Sequence, residues 1–177
     1  MAGPTASIVC PESFDRLTFR DALNDVVCVW RETDFCSITD TTNIGGRYRG
    51  EARPFVGGVR DLLTAKDTSC FSDGKILAIE ARFGVTCRSE IELAAMCNGD
   101  CDHQILAEVV ASLAERFKGV VAFGGLLPLG NILPFGLHVI SWIDAPNFIG
   151  KSDYSEHCAT ADAVRWWLSQ PIFRMVQ

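Results

Sequence analysis

The sequence predicts an α+β fold: a mixed or antiparallel sheet with three main helices packed on it. Three observations predict this. The β-branched run "TASIVC" (5–10) and the apolar stretch from Gly119 to Ile143 read as strands. The segment from Asp102 to Lys118 repeats its apolar residues with helical period. A second helical pattern, opened by Thr160, precedes Pro171.

The elements follow in chain order. After the first strand, Pro11 opens a helix of about five turns. Its apolar face is Phe19, Ala22, Leu23, Val26, Val27 and Trp30. From Thr33 to Gly58 the pattern weakens, and "DTTNIGG" reads as a loop. "RYRGEARPFVGG" predicts short strands and "VRDLLTA" a brief helical turn. Asp73-Gly74 is a favoured hairpin turn, joining a strand near 68–72 to one near 75–83. "CRSEIELAAM" predicts a partly exposed strand.

The next helix is the clearest. Asp102 is its expected N-cap. Ile105, Leu106, Val109, Val110, Leu113 and Phe117 form its buried face, with Glu108, Ser112, Glu115, Arg116 and Lys118 left to water. Gly119 is its expected C′ residue. Strands near 119–126 and 135–143 follow. The last helix runs from the Thr160 cap to Ser169, and the tail "IFRMVQ" docks on the core.

The totals bound the function. At 177 residues, 48% hydrophobic and 21% charged, the chain reads as a single domain, 1–177, with a real core. A net charge of −6 and a pI near 5.0 argue against nucleic acid or an anionic membrane and favour a basic partner. Charge is uneven: residues 1–46 sum to −4 (seven acids, three bases), residues 47–66 to +3 (five bases, two acids). The stretch from Gly119 to Ile143 carries no Asp, Glu, Lys or Arg, but five glycines, Pro128 and Pro134 interrupt it. It reads as two core strands, not a membrane span. The N-terminus lacks a basic region followed by an apolar one, so the expected location is the cytoplasm, with the eight cysteines reduced.

Two stretches carry candidate chemistry. "CNGDCDH" (97–103) puts two cysteines and a histidine within seven residues. A structural zinc site needs four ligands, usually with paired spacing, and no C-x2-C occurs. The reading is therefore a loop ahead of a helix, with no metal and no cofactor. A Cys97 or Cys101 nucleophile served by His103 is the enzymatic alternative. "GGRYRGEAR" (45–53) is a basic patch without phosphate-loop spacing.

Three stretches together carry a resemblance: "AMCNGDCDHQILAEVVASLAERFKGVVAFGG", "DAVRWWLSQPIFRMVQ" and the opening "GPTASIVC". They resemble a family of small, uncharacterised bacterial cytoplasmic proteins with a CN…DH turn and a C-terminal W…P.FRM segment. Asn98, Asp102 and His103 match that turn. Ala122 stands where the family has an acid, and Gln177 where it has Lys. Members occur among the immunity proteins of polymorphic toxin systems (Rhs and type VI secretion loci).

The resemblance implies a non-enzymatic protein that binds a cognate protein toxin and occludes its active site, and the acidic balance suits a toxin with a basic active-site cleft. The expected contacts are the loop acids Asp34, Asp40, Asp153 and Glu156, with Trp166 as an anchor. No nucleic acid and no membrane is expected as partner.

Overall fold

The computed structural model describes residues 3–25, 28–30, 34–63, 72–129, 133–143 and 153–175, with the side chains of 28–30 and 143 left aside. The strands are β1 Thr5–Cys10, β2 Cys28–Trp30, β3 Phe35–Asp40, β4 Arg49–Asp61, β5 Ser89–Ala95, β6 Val120–Ala122, β7 Leu137–Ile143 and β8 Asp153–Ala159. They form one sheet in the order β2-β3-β4-β5-β1-β6-β8-β7, and every pairing is antiparallel. The helices are α1 Arg16–Asp25, α2 Asp73–Phe83, α3 Asp100–Arg116 and α4 Ala161–Leu168. The fold is α+β, with one helix more among the described residues than the three expected.

The sheet separates two cores because side chains alternate across a strand. From β1, Ala6, Ile8 and Cys10 join Ile91, Leu93 and Val121 in the larger core, which α1, α3 and α4 close. Val9 points the other way, to Ile79, Val120, Ile140 and Cys158 under α2. Ile105, Leu106, Val109, Val110 and Leu113 are all buried, as the helical period of α3 requires. The β1 strand and the α4 helix match their expected bounds. Thr160 caps α4 by accepting from the Ala163 N–H, and Ser169 ends it. The tail also docks: Met175 is buried and the Trp167 indole N–H donates to the Arg174 carbonyl at 2.9 Å.

Several expectations fail, some for a local reason and some because a distant strand intervenes. The first helix begins at Arg16, behind an Asp15 side chain that takes the Thr18 N–H at 2.8 Å, and ends at Asp25. Trp30 belongs to β2, paired with Cys36, so its place in the apolar period is coincidental. Val26 and Val27 lie outside the described residues.

Asp73-Gly74 makes no hairpin. Ser72 accepts from the Lys75 N–H at 3.3 Å, Asp73 occupies the first turn, and Gly84 closes α2 at φ +67°. Cap and stop residues placed eleven helical residues apart outweighed the turn dipeptide. Residues 68–71 of the expected strand lie outside the described residues. "VRDLLTA" begins as the end of the thirteen-residue β4 and then turns at Leu62 and Leu63. Its last two residues are not described. The β5 strand is central rather than partly exposed, and Glu90 is fully buried there. The β8 strand had no clear sequence signal.

At the end of α3, Lys118 takes the left-handed conformation (φ 52°) assigned in advance to Gly119. Gly119 answers a different need. A Cβ there would lie 2.6 Å from Ile8 Cγ2 and 2.9 Å from the Val9 carbonyl oxygen.

Candidate functional site

The two stretches singled out in the sequence meet at the start of α3. Gly99 is the N-cap, and Asp102, the third helical residue, reaches back to accept the Gly99 N–H at 2.7 Å. Asp102 is therefore not itself the cap, though it does the complementary half of a capping arrangement. From β4, Arg53 grips the same carboxylate with both prongs, Nε to Oδ1 at 2.8 Å and a terminal nitrogen to Oδ2 at 2.6 Å. Burial opposes ionisation of Asp102. Arg53 and the Gly99 N–H outweigh it and hold the carboxyl below its ordinary range.

His103 is 1% exposed and spent on internal contacts. Its Nδ1 accepts the Met175 N–H at 3.1 Å, which leaves the ring proton on Nε2, 2.9 Å from the Asn98 side-chain oxygen. Burial, seconded by Arg174, lowers its pKa and keeps the ring neutral. The turn thus ties α3 to the C-terminal tail.

One helical turn on, Glu108 is 5% exposed, contrary to its expected solvent position. The loop between β3 and β4 folds over it. Its carboxylate accepts the Arg47 N–H at 2.7 Å, the Gln104 side-chain N–H at 2.9 Å and the Thr41 hydroxyl. A Cβ on Gly46 would sit 2.5 Å from Glu108 Oε2, so the loop passes where only glycine fits. Thr41 is fully buried and also accepts the Tyr48 N–H at 3.0 Å.

Beside these groups lies a cavity of about 320 Å³, lined by Arg47, Asp100, Gln104, Glu108, Gln170 and Phe173, with His103 and Leu168 completing the wall. Asp100 is ion-paired at the surface with Arg174, 2.8 Å away. Arg47 is exposed at the rim, and no ion pair holds its guanidinium among the described residues.

The other predicted residues are scattered. Asp34 pairs with Arg16. Asp40 is half-buried, caps Thr42 and approaches Arg49 at 3.6 Å, and its carboxyl is lowered chiefly by the Thr42 hydrogen bonds. Asp153 is exposed at the start of β8. Trp166 is half-buried against the larger core.

Glu156 corrects its assignment as an exposed contact. It is 2% exposed, 2.6 Å from Lys75, and accepts the Gly124 N–H at 3.0 Å. Alternation in β8 turns it under α2, where Lys75 also lies 5.3 Å from the centre of the Trp142 ring.

Cys97 and Cys101 are half-buried, whereas burial pushes the Cys10 and Cys87 thiols up to about 12 and the Cys158 thiol higher. Among the described residues, no group of three or more His, Cys, Asp or Glu side chains is placed to hold a metal ion. Likewise, no helix among them is long and apolar enough to cross a membrane.

Thr41, Gln104, Glu108 and Gln170 were not foreseen as site residues. The Gly45-Gly46 pair was the one available hint that the chain makes a close approach there. No curated protein and no solved structure matches the chain. The model of a family of unknown function, DUF6368, matches residues 2–177, and the chain belongs to that family.

Proposed function

We propose that this protein acts by binding, as an immunity protein. It neutralises a cognate bacterial toxin in the cytoplasm by covering the toxin's active site, with no turnover of its own. The observation that carries the reading is the state of His103. Both ring nitrogens are engaged internally, so the residue that an enzyme centred on Cys97–His103 needs as its base has no free lone pair. The neighbouring Asp102 is likewise consumed by Arg53 and Gly99.

A binder needs surface complementarity instead. The net charge of −6 supports a basic partner through steering and charge matching. Asp153 and the half-exposed Asp34 are the acids that remain suited to contact. Trp166 is half-buried against the core and keeps only part of its surface for contact, and Asp40 stands partly committed to its own loop.

The test is a tagged pull-down from the native bacterium with the neighbouring genes expressed, followed by a toxicity assay on the captured partner. The expected result is one stoichiometric, toxin-like protein whose toxicity this chain abolishes at a one-to-one ratio. A captured partner whose toxicity is untouched by the chain would overturn the reading, as would the absence of any stoichiometric partner.

A further inference from the structure

The cavity beside α3 has an unusual balance of polar groups, and hydrogen-bond logic fixes their orientation. Glu108 can only accept, so Gln104 must present its nitrogen to it, and the Gln104 oxygen is turned away. The Trp166 carbonyl can also only accept. Gln170 gives it an N–H at 3.0 Å and a second to the Ser169 hydroxyl at 3.1 Å, so the Gln170 oxygen is turned away too. Neither amide oxygen has a partner among the described residues. Both residues line the same cavity. Asp100 adds a carboxylate, one oxygen of which is held by Arg174. Phe173 supplies an aromatic wall.

The result is a small chamber rich in acceptors with a flat apolar side. Ligand pockets usually run from roughly 300 to 1,000 Å³, so about 320 Å³ suits one long side chain better than a cofactor. A guanidinium matches the chemistry. It is planar, carries five donors and no acceptor, and stacks on aromatic rings. One cation, Arg47, already lines the chamber, and Arg174 pairs with Asp100 at the surface beside it.

We infer that this cavity receives an arginine side chain from the protein partner, donating to the oxygens of Gln104, Gln170 and Asp100 beside the Phe173 ring. The inference deepens the binding reading and rests on it for the source of the arginine. Arg47 acts as the chamber's own competitor. Its guanidinium repels the incoming one, so its removal favours entry.

The experiment uses N-acetyl-arginine amide as the probe, titrated into the isotope-labelled full chain, with the side-chain amide signals of Gln104 and Gln170 followed by NMR. The acetylated amides of lysine and glutamate are the comparison probes. The expected result is a saturable shift with arginine, a weaker one with lysine and none with glutamate. Asp100→Asn, at an exposed position, should weaken arginine binding about threefold, the scale of a solvent-screened charge. Arg47→Ala should tighten it by a similar factor, about threefold. Gln170→Leu should remove the saturable shift.

No saturable shift with arginine in either the native chain or Arg47→Ala would overturn the inference. Tighter binding of the glutamate probe would also overturn it, since the chamber would then serve anions through Arg47. These readouts involve no toxin, so they fail or succeed separately from toxin neutralisation.

Discussion

Arg53 on β4 and Asp102 on α3 form a two-pronged ion pair, with the Asp102 side chain fully buried and the Arg53 side chain 24% exposed. The pair clamps the basic stretch of the sequence onto the turn that begins α3. Removing one member leaves the other charge in a poorly solvated place. Asp102→Ala should therefore lower stability by about 3 kcal/mol in urea unfolding. Arg53→Lys, which keeps the charge but loses the planar fork, should cost less, about 1–2 kcal/mol. No measurable loss in Arg53→Lys would argue that the fork geometry contributes nothing.

The histidines set the response to acid. Burial lowers the pKa of His103, His138 and His157 below the ordinary 6.5. Below pH 6.5 the unfolded chain then binds more protons than the folded one, and stability rises with pH. Stability should accordingly fall as pH drops from about 6.5 through the lowered folded-state values. Asp102 adds a second loss at lower pH, because its folded-state pKa lies under the ordinary 3.8. Thermal melts between pH 7.5 and 5 check the first window, and a flat midpoint across it would refute the histidine assignment.

Lys75 and Glu156 form a second, more deeply buried pair under α2, with side chains 8% and 2% exposed. Lys75→Met strands a carboxylate among apolar neighbours and should destabilise by about 3–5 kcal/mol. Replacing both, as Lys75→Met with Glu156→Leu, should recover much of that loss. A double-mutant cycle in denaturant measures the coupling. Strict additivity would mean the two charges do not depend on each other.

Thiol accessibility separates two groups of cysteines. Cys97 and Cys101 are half-buried, while Cys10, Cys36, Cys87 and Cys158 are buried. Under native conditions at neutral pH, iodoacetamide should label Cys97 and Cys101 ahead of these four, as read by peptide mass spectrometry. Rates at Cys97 and Cys101 like those of an unperturbed thiol fit the binding reading. A rate enhanced by orders of magnitude at either would restore the enzymatic one.

Gly119 tests the packing of α3 on β1. Gly119→Ala drives a methyl group into Ile8 and the Val9 carbonyl, and should cost about 1–3 kcal/mol. Lys118→Gly, which relieves a left-handed backbone, should instead stabilise slightly, by about 0.5–1 kcal/mol. The opposite ordering in a denaturant series would contradict the assignment of the αL position.

What the sequence determined by itself was the set of elements whose signals are local. The apolar β-branched run of β1, the long stripe of α3 and the Thr160 cap of α4 depend only on neighbours within a few residues, and each was legible. The α+β class follows from them. Tertiary structure decided the rest. Trp30 continued the α1 period but was claimed by pairing with Cys36 across a sheet. Asp73-Gly74 is a miss among local signals instead: the Ser72 cap and the Gly84 stop outweigh its hairpin preference.

The site shows the same division. Cys97–His103 and Gly45–Arg53 could each be picked out, yet neither announces the other, because their meeting depends on β4 lying beside β5 and on α3 packing against β1 and β5. Glu108 and Glu156 look like solvent residues in any local reading. They are buried because partners from distant segments, Thr41 and Lys75, supply the hydrogen bonds and charge that make burial tolerable.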